Sequence, residues 1–231
     1  MNELAPNGTL RAGLAFAPEP SALFVVKDAD GHPRGVTVDL ANALAADLKV
    51  PLTFILAPNT GLLTDAVEQG TVDVAFMPVD EERKRRIAFG PTYFIVESTY
   101  LVSAASGIET VEDADRAGTR LIGIANTTTI RAAARSLTRT TIEAVGSIDE
   151  AMARMHAGEA DGFALSHDSL PPYRAALPGS RVATGAFQQT GIAIAVQKGR
   201  PQALAFVTEF MDRANADGTV ARALQAAGIA V

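Results

Sequence analysis

The feature that most constrains this chain is an alternation that runs almost from end to end. Short apolar or β-branched runs take turns with segments of helical periodicity. Strands joined through helices lie parallel, and the helices then cover both faces of the sheet, so the alternation predicts an α/β fold. Residues 9–16 alternate apolar and polar side chains and predict a strand, and residues 22–26 predict a second, short one. Residues 28–33 have the Asp, Gly and Pro content of a turn. Val36, Leu40, Ala43, Leu44 and Leu48 fall on one face of a helix over 36–48. Residues 51–57 predict a strand, Asn59 or Thr60 caps a helix that ends at Gly70, and 72–77 form a nearly continuous apolar run of the kind found in buried parallel strands.

The second half repeats this architecture without repeating the sequence. Residues 120–125, 141–145, 162–165 and 191–196 predict strands. Residues 128–137, 148–156 (closed by Gly158) and 168–176 predict helices. Pro201 stands near the first position of a long helix that breaks at Asp217-Gly218, and a last helix over 220–227 stops at Gly228. No low-complexity linker separates the halves, which predicts two α/β lobes joined by strand-like segments acting as a hinge.

Composition removes several functions. No cysteine is present, so thiolate nucleophiles, thiolate metal ligands and disulfides are excluded, and redox chemistry through cysteine with them. His32, His156 and His167 are the only histidines, and no two share the i, i+4 spacing of a helical zinc site, so no metal is expected. The net charge of -6 argues against a nucleic-acid partner, which needs a basic face. No apolar run is long enough to cross a bilayer. The first eight residues have neither a basic n-region nor an apolar h-region, which fits a cytoplasmic chain or one whose signal peptide has been removed.

Five segments then carry a resemblance. Gly8-Thr9-Leu10-Arg11-Ala12-Gly13 looks like the opening strand of the periplasmic solute-binding proteins of ABC importers, in the class of the polar amino-acid receptors. Asp30-Gly31 with Gly35-Val36-Thr37-Val38-Asp39-Leu40-Ala41, and Gly70-Thr71-Val72-Asp73-Val74-Ala75, look like the family's next two signatures. Glu82-Arg83-Lys84-Arg85-Arg86-Ile87-Ala88-Phe89 followed by Tyr93 is similar to its arginine motif. Gly158-Glu159-Ala160-Asp161-Gly162-Phe163-Ala164-Leu165, with the terminal Asp217-Gly218-Thr219, completes the series in the family's order. The resemblance implies the type II periplasmic binding protein fold: two lobes, each a mainly parallel sheet flanked by helices, joined by a two-segment hinge. Lobe 1 would be 1–97 plus 193–231, and lobe 2 would be 98–192. It also implies a periplasmic protein with its signal peptide removed, a monomer without cofactor, whose partners are a small carboxylate-bearing solute and the membrane permease of the importer. Ligand would sit in the interlobe cleft and favour closure.

The residues expected to bind follow from chemistry and resemblance together. A guanidinium meets a carboxylate with two parallel hydrogen bonds, and Arg83 stands where the family places that arginine. Lys84, Arg85 and Arg86 read as a solvated charged face. Nine residues stand between Asp73 and Arg83, fewer than the family usually has, and the absent ones include its ligand-contacting Ser/Thr positions. Met77 and Pro78, with Val79 and Asp80, stand there instead and predict a more apolar wall. Asn126, Thr127 and Thr128, with Thr129, open a helix whose N–H groups and dipole suit an anion, Thr128 foremost; ordinary N-capping explains the same residues. Ser166 lies five residues after Asp161, where the family usually has an aspartate for the ligand's ammonium. A hydroxyl brings no charge, so Glu97 near the first crossover, or less readily Asp168, would have to supply one. Phe16 ends the first strand where the family often has an aromatic, with core packing as the plain alternative. Tyr93 divides in the same way. Thr60-Gly61 opens a helix at the sheet edge and ranks low, and His167 reads as a surface residue.

The function expected is therefore capture of an amino acid or related organic acid for ABC import, without catalysis. The alternative is a cyclohexadienyl dehydratase-like enzyme on the same fold, with Glu97, Glu19 or Asp168 as general acid. A sensor domain is disfavoured because no helical linker follows Val231.

Overall fold

A computed structural model describes residues 3–15, 21–57 and 59–229. The chain divides into two compact units, Met1–Phe94 with Gly191–Val231, and Ile95–Thr190. The first opens with β1 (Leu10–Ala15), the short strands β2 (Val26–Lys27) and β3 (Pro33–Arg34), and α1 (Val36–Leu48). It continues with β4 (Leu52–Ala57), α2 (Thr60–Glu68), β5 (Val74–Pro78) and α3 (Glu81–Arg86). The chain leaves this unit within β6 (Ile87–Val102). The second unit holds α4 (Val111–Ala114), β7 (Leu121–Ile124), α5 (Thr128–Ser136), β8 (Ile142–Val145) and α6 (Ile148–His156). It goes on through β9 (Gly162–Ser166), α7 (Pro171–Ala176) and β10 (Arg181–Val182). Within β11 (Gln188–Gln197) the chain returns to the first unit, which ends with α8 (Pro201–Ala216) and α9 (Thr219–Ala226).

Each unit carries the mainly parallel sheet that the alternation implies. In the first the order is β4-β1-β5-β11: Leu10 pairs Leu52 and Ala12 pairs Val74 in parallel, while Ile194 pairs Phe76 antiparallel. In the second, β8-β7-β9 run parallel, with Leu121 opposite both Ile142 and Gly162, and β6 pairs β9 antiparallel at Tyr100 and Ala164. Apolar residues line both faces, as buried parallel strands require. Leu101, Ile122, Phe163 and Leu165 enter one core of the second unit, and their neighbours Tyr100, Val102, Leu121 and Ala164 enter the core on the opposite face. In the first unit Leu63, Val67, Val72, Met77 and Ile87 pack together under α2.

The same lock closes the start of both sheets. The backbone N–H and Nε of Arg11 donate to Asp73 Oδ2 at 2.9 and 3.0 Å, and its Nη2 donates to Asp73 Oδ1 at 2.6 Å and to the Gly70 carbonyl at 2.8 Å. In the second unit the backbone N–H and Nε of Arg120 donate to Asp161 Oδ2, Nη2 to Oδ1 at 2.6 Å, and Nη1 to the Gly158 carbonyl at 2.7 Å. The two Gly-x-x-Asp segments, 70–73 and 158–161, are thus one device used twice. Each glycine has positive φ, 70° and 69°, where it ends a helix at no steric cost.

Most elements lie where their patterns predict them, and α1 has the expected bounds. Two departures have clear causes. Residues 22–24 form a turn, not a strand, because the Ala22 carbonyl accepts the Val36 N–H at 2.9 Å and the Phe24 carbonyl accepts the Thr37 hydroxyl. Those carbonyls hold the start of α1 and cannot serve a ladder. Gly35 is forced there: a Cβ would lie 2.6 Å from the Phe24 oxygen. The helix expected over 168–176 is broken into a 3₁₀ turn, His167–Ser169, and α7, because Pro171 lacks the N–H that would carry the first into the second.

Because Asp73 is fully buried and Arg11 only partly, Asp73→Ala should lower the unfolding free energy by about 3 kcal/mol, read from urea midpoints. Asp161→Ala should cost less, since that carboxylate and Arg120 are more exposed. Arg120 holds the Asp161 carboxyl below its ordinary 3.8. A depressed folded-state pKa gives stability that is present at neutral pH and lost as pH falls below that value. Asp161→Asn should therefore flatten the acid side of the stability profile.

Candidate functional site

The expected binding residues fall into two groups, one in each unit. In the first, α3 is capped by Asp80, whose side chain accepts from the N–H groups of Glu82 at 3.0 Å and Arg83 at 3.3 Å. This short helix sorts its cations. Lys84 pairs with Glu81 at 2.6 Å, and Arg86 reaches Asp65 at 2.6 Å and Glu68, all on the surface. Arg83 turns inward and is 5% exposed. Its Nη1 donates to the Pro78 carbonyl at 2.9 Å, and its Nη2 donates to the Thr60 hydroxyl at 2.7 Å. The guanidinium is therefore fixed in orientation, which is what a bidentate carboxylate site requires.

Met77 and Pro78, expected to line a more apolar wall, have other tasks. Met77 is fully buried, its side chain belongs to the core under α2, and its sulfur lies 3.6 Å from the Thr64 hydroxyl oxygen. Pro78 ends β5 and offers its carbonyl to Arg83. Thr60, ranked low on sequence, is brought against Arg83 across 23 residues by the fold. The signal that marks it is its place at the start of a helix following a strand, the edge where α/β proteins bind ligands. Phe16 and Glu19 lie outside the described residues. Tyr93 is buried edge-on to Phe76, ring centroids 6.4 Å apart, and its hydroxyl has no hydrogen-bond partner among the described residues. Burial pushes that phenol well above its usual range.

In the second unit β7 delivers the chain to α5 through Asn126, which is exposed and has φ 62°. Thr127 is the cap: its hydroxyl accepts the Ile130 N–H at 3.2 Å and donates to the Ile124 carbonyl at 2.8 Å. Its side chain is thus engaged in capping. Thr128 is buried, and the N–H groups of Thr128 and Thr129 have no acceptor within a helix that starts there. They form a positive terminus suited to an anion. Gly123 lets α5 approach, since a Cβ would meet Ile130 and Ile142 at 3.1 Å.

Ser166 ends β9, and its hydroxyl donates to Ser169 at 2.8 Å. Glu97 is exposed on β6 and accepts from Gln189 Nε2 at 2.9 Å; the pattern of the sequence contains no signal for that glutamine. Asp168 follows two residues after Ser166. Its carboxyl is raised, first by desolvation, with His167 opposing and the charge of Glu97 adding to the rise. Glu97 and Asp168 therefore form one acidic neighbourhood. His167 is exposed, 4.0 Å from Asp168. Apart from these groups, Asp28, Asp30 and His32 bring three possible ligand atoms within 4.8 Å of one another, all exposed on the turn between β2 and β3. Asp28 Oδ1 accepts from the Asp30 and His32 N–H groups, which accounts for its position in the turn.

An α/β chain that passes from one unit to the other in one strand and returns in another has the fold of the type II periplasmic binding proteins. The chain belongs to the bacterial extracellular solute-binding proteins, family 3, whose model matches residues 14–226. It is 26% identical over 229 residues to an L-arginine-binding protein of Pseudomonas aeruginosa, covering 93% of this chain and 85% of that one. Over 98 residues it is 38% identical to membrane-bound lytic murein transglycosylase F of Maricaulis maris; that match covers 39% of this chain and 21% of the transglycosylase. Among solved structures, an ancestral amino acid-binding protein described as a precursor of cyclohexadienyl dehydratase superposes with a TM-score of 0.75 at 28% identity, covering 96% of both chains. The family and most of these relatives are binding proteins.

The raised carboxyl of Asp168 has a consequence for stability. A carboxylate disfavoured in the folded state costs stability once pH exceeds its ordinary 3.8. Asp168→Asn should raise the urea midpoint at neutral pH, and the gap to the native chain should close as pH falls below that value.

Proposed function

We propose that this chain is the capture component of an ABC importer, working as a monomer in the periplasm on a small solute that bears a carboxylate, an amino acid or related organic acid. The observation that carries this reading is Arg83: a buried guanidinium on α3, oriented by Pro78 and Thr60. The N-terminus of α5, with Thr128, is a second group suited to an anion. Ser166 brings no charge for an ammonium group, and Glu97, positioned by Gln189, is the carboxylate that takes this role when the solute has one. Membership in a solute-binding family and the L-arginine-binding relative support the ligand class.

Arg83→Ala should weaken binding roughly ten- to hundred-fold while the protein stays folded, because a charge-assisted pair contributes about 1.5–3 kcal/mol net. Calorimetry with L-arginine, L-glutamine, 2-oxoglutarate and 3-phenylpropionate, after a thermal-shift screen, measures this. Unchanged affinity in the variant sinks the assignment of Arg83.

A second reading is a dehydratase acting on prephenate-like acids. The raised Asp168 carboxyl beside Glu97 favours it, since a general acid must hold its proton near working pH, and so does the solved relative described as a precursor of such an enzyme. Incubation with prephenate should yield no phenylpyruvate if the chain only binds; turnover lost in Asp168→Asn would establish the enzyme.

A further inference from the structure

We propose that Thr60 completes the carboxylate fork of the first unit: its hydroxyl aims Arg83 and donates its own proton to the same ligand oxygen. This rests on the reading of Arg83 as the carboxylate anchor. From Val74 to Glu82, the segment before Arg83, no residue carries a hydroxyl. Met77 is in the core, Pro78 presents only a carbonyl, and Asp80 caps α3. The hydroxyl beside the guanidinium comes instead from a distant segment, Thr60 at the first position of α2, 2.7 Å from Arg83 Nη2. That position is fixed locally. Asn59 caps α2 by accepting the Leu62 N–H at 2.8 Å, and the Thr60 carbonyl accepts the Thr64 hydroxyl at 2.7 Å.

A hydroxyl has two acceptor lone pairs and one proton. Accepting from Arg83 uses a lone pair and leaves the proton to donate. It also polarises the hydroxyl, because its partner is a cation, and strengthens that donation to an anion. Half-buried Thr60 beside nearly buried Arg83 thus gives an O–H and an N–H aimed from one place, and beside a cation such a pair favours the anionic oxygen of a carboxylate over the neutral oxygen of its amide. Thr60 is then a determinant of specificity for the acid, in addition to positioning Arg83.

The test compares L-arginine with L-argininamide in the native chain, Thr60→Val, Thr60→Ser and Arg83→Ala. Thr60→Val should lose roughly ten-fold or more in affinity for the acid and little for the amide, so their ratio shrinks; Thr60→Ser should restore it. Thr60→Ala serves if the valine variant does not fold. In the ligand-free protein, the Arg83 Nη protons should exchange slowly by NMR in the native chain and average in Thr60→Val. An unchanged acid-to-amide ratio in a folded Thr60→Val overturns the role of Thr60 while leaving Arg83 standing. Undiminished binding in Arg83→Ala overturns the carboxylate reading itself. If L-arginine does not bind, unaltered Arg83 resonances in Thr60→Val overturn the proposal, and altered ones uphold its positioning half.

Discussion

The arginine–aspartate fork is the contact on which both units depend. A parallel sheet has no hairpin to set its register, so something must fix where adjacent strands begin. Arg11 and Arg120 do so by taking both oxygens of Asp73 and Asp161, while the aspartate also accepts the arginine's own N–H. The lock also reaches the glycine carbonyl that ends the preceding helix, at Gly70 or Gly158. It therefore ties strand, helix end and next strand at one edge of each sheet. At the opposite edge, where α/β proteins bind ligands, Thr60, Arg83 and Thr128 follow the C-terminal ends of strands and Ser166 ends one.

Charge in the first unit is sorted by burial. The run from Glu81 to Arg86 holds six ionisable side chains in sequence, and only Arg83 is withdrawn from solvent. Lys84 and Arg86 pair with carboxylates on the surface, where such pairs contribute little. A buried guanidinium is costly to desolvate unless its donors are satisfied. The Pro78 carbonyl and the Thr60 hydroxyl accept two of those donations. The second unit is organised differently. There the Thr127 hydroxyl is engaged in capping, Ser166 is tied to Ser169, and the charge lies with Glu97 and Asp168.

Local patterns were good guides wherever a helix or strand is decided by its own period and ends. The helix over 36–48, the Asn59 cap, the Asp28 turn and the break at Gly218 can each be read from a few neighbouring residues. The exceptions share a cause. Residues 22–24 have a strand's composition, but their carbonyls serve a helix that begins at Val36. The 16-residue extent of β6 and the existence of β10 depend on partners far along the chain. In the region of the site, residue types and the arginine motif pointed to Arg83 and to the α5 terminus. Nothing local pointed to Gln189 as the partner of Glu97, or placed Thr60 on Arg83.

The sequence by itself determined the class of fold and the family, because alternation, helix caps and the order of short motifs are properties of adjacent residues. It also marked the two Gly-x-x-Asp segments, though not what they do. Tertiary structure alone decided that both aspartates lock a strand-opening arginine, that Arg83 is the buried cation of its run, and that a threonine 23 residues away supplies its hydroxyl. The physical reason is the range of the forces involved. Backbone propensity and capping act within a turn or two, whereas burial and hydrogen bonding of a charged side chain depend on groups that only the folded chain brings together.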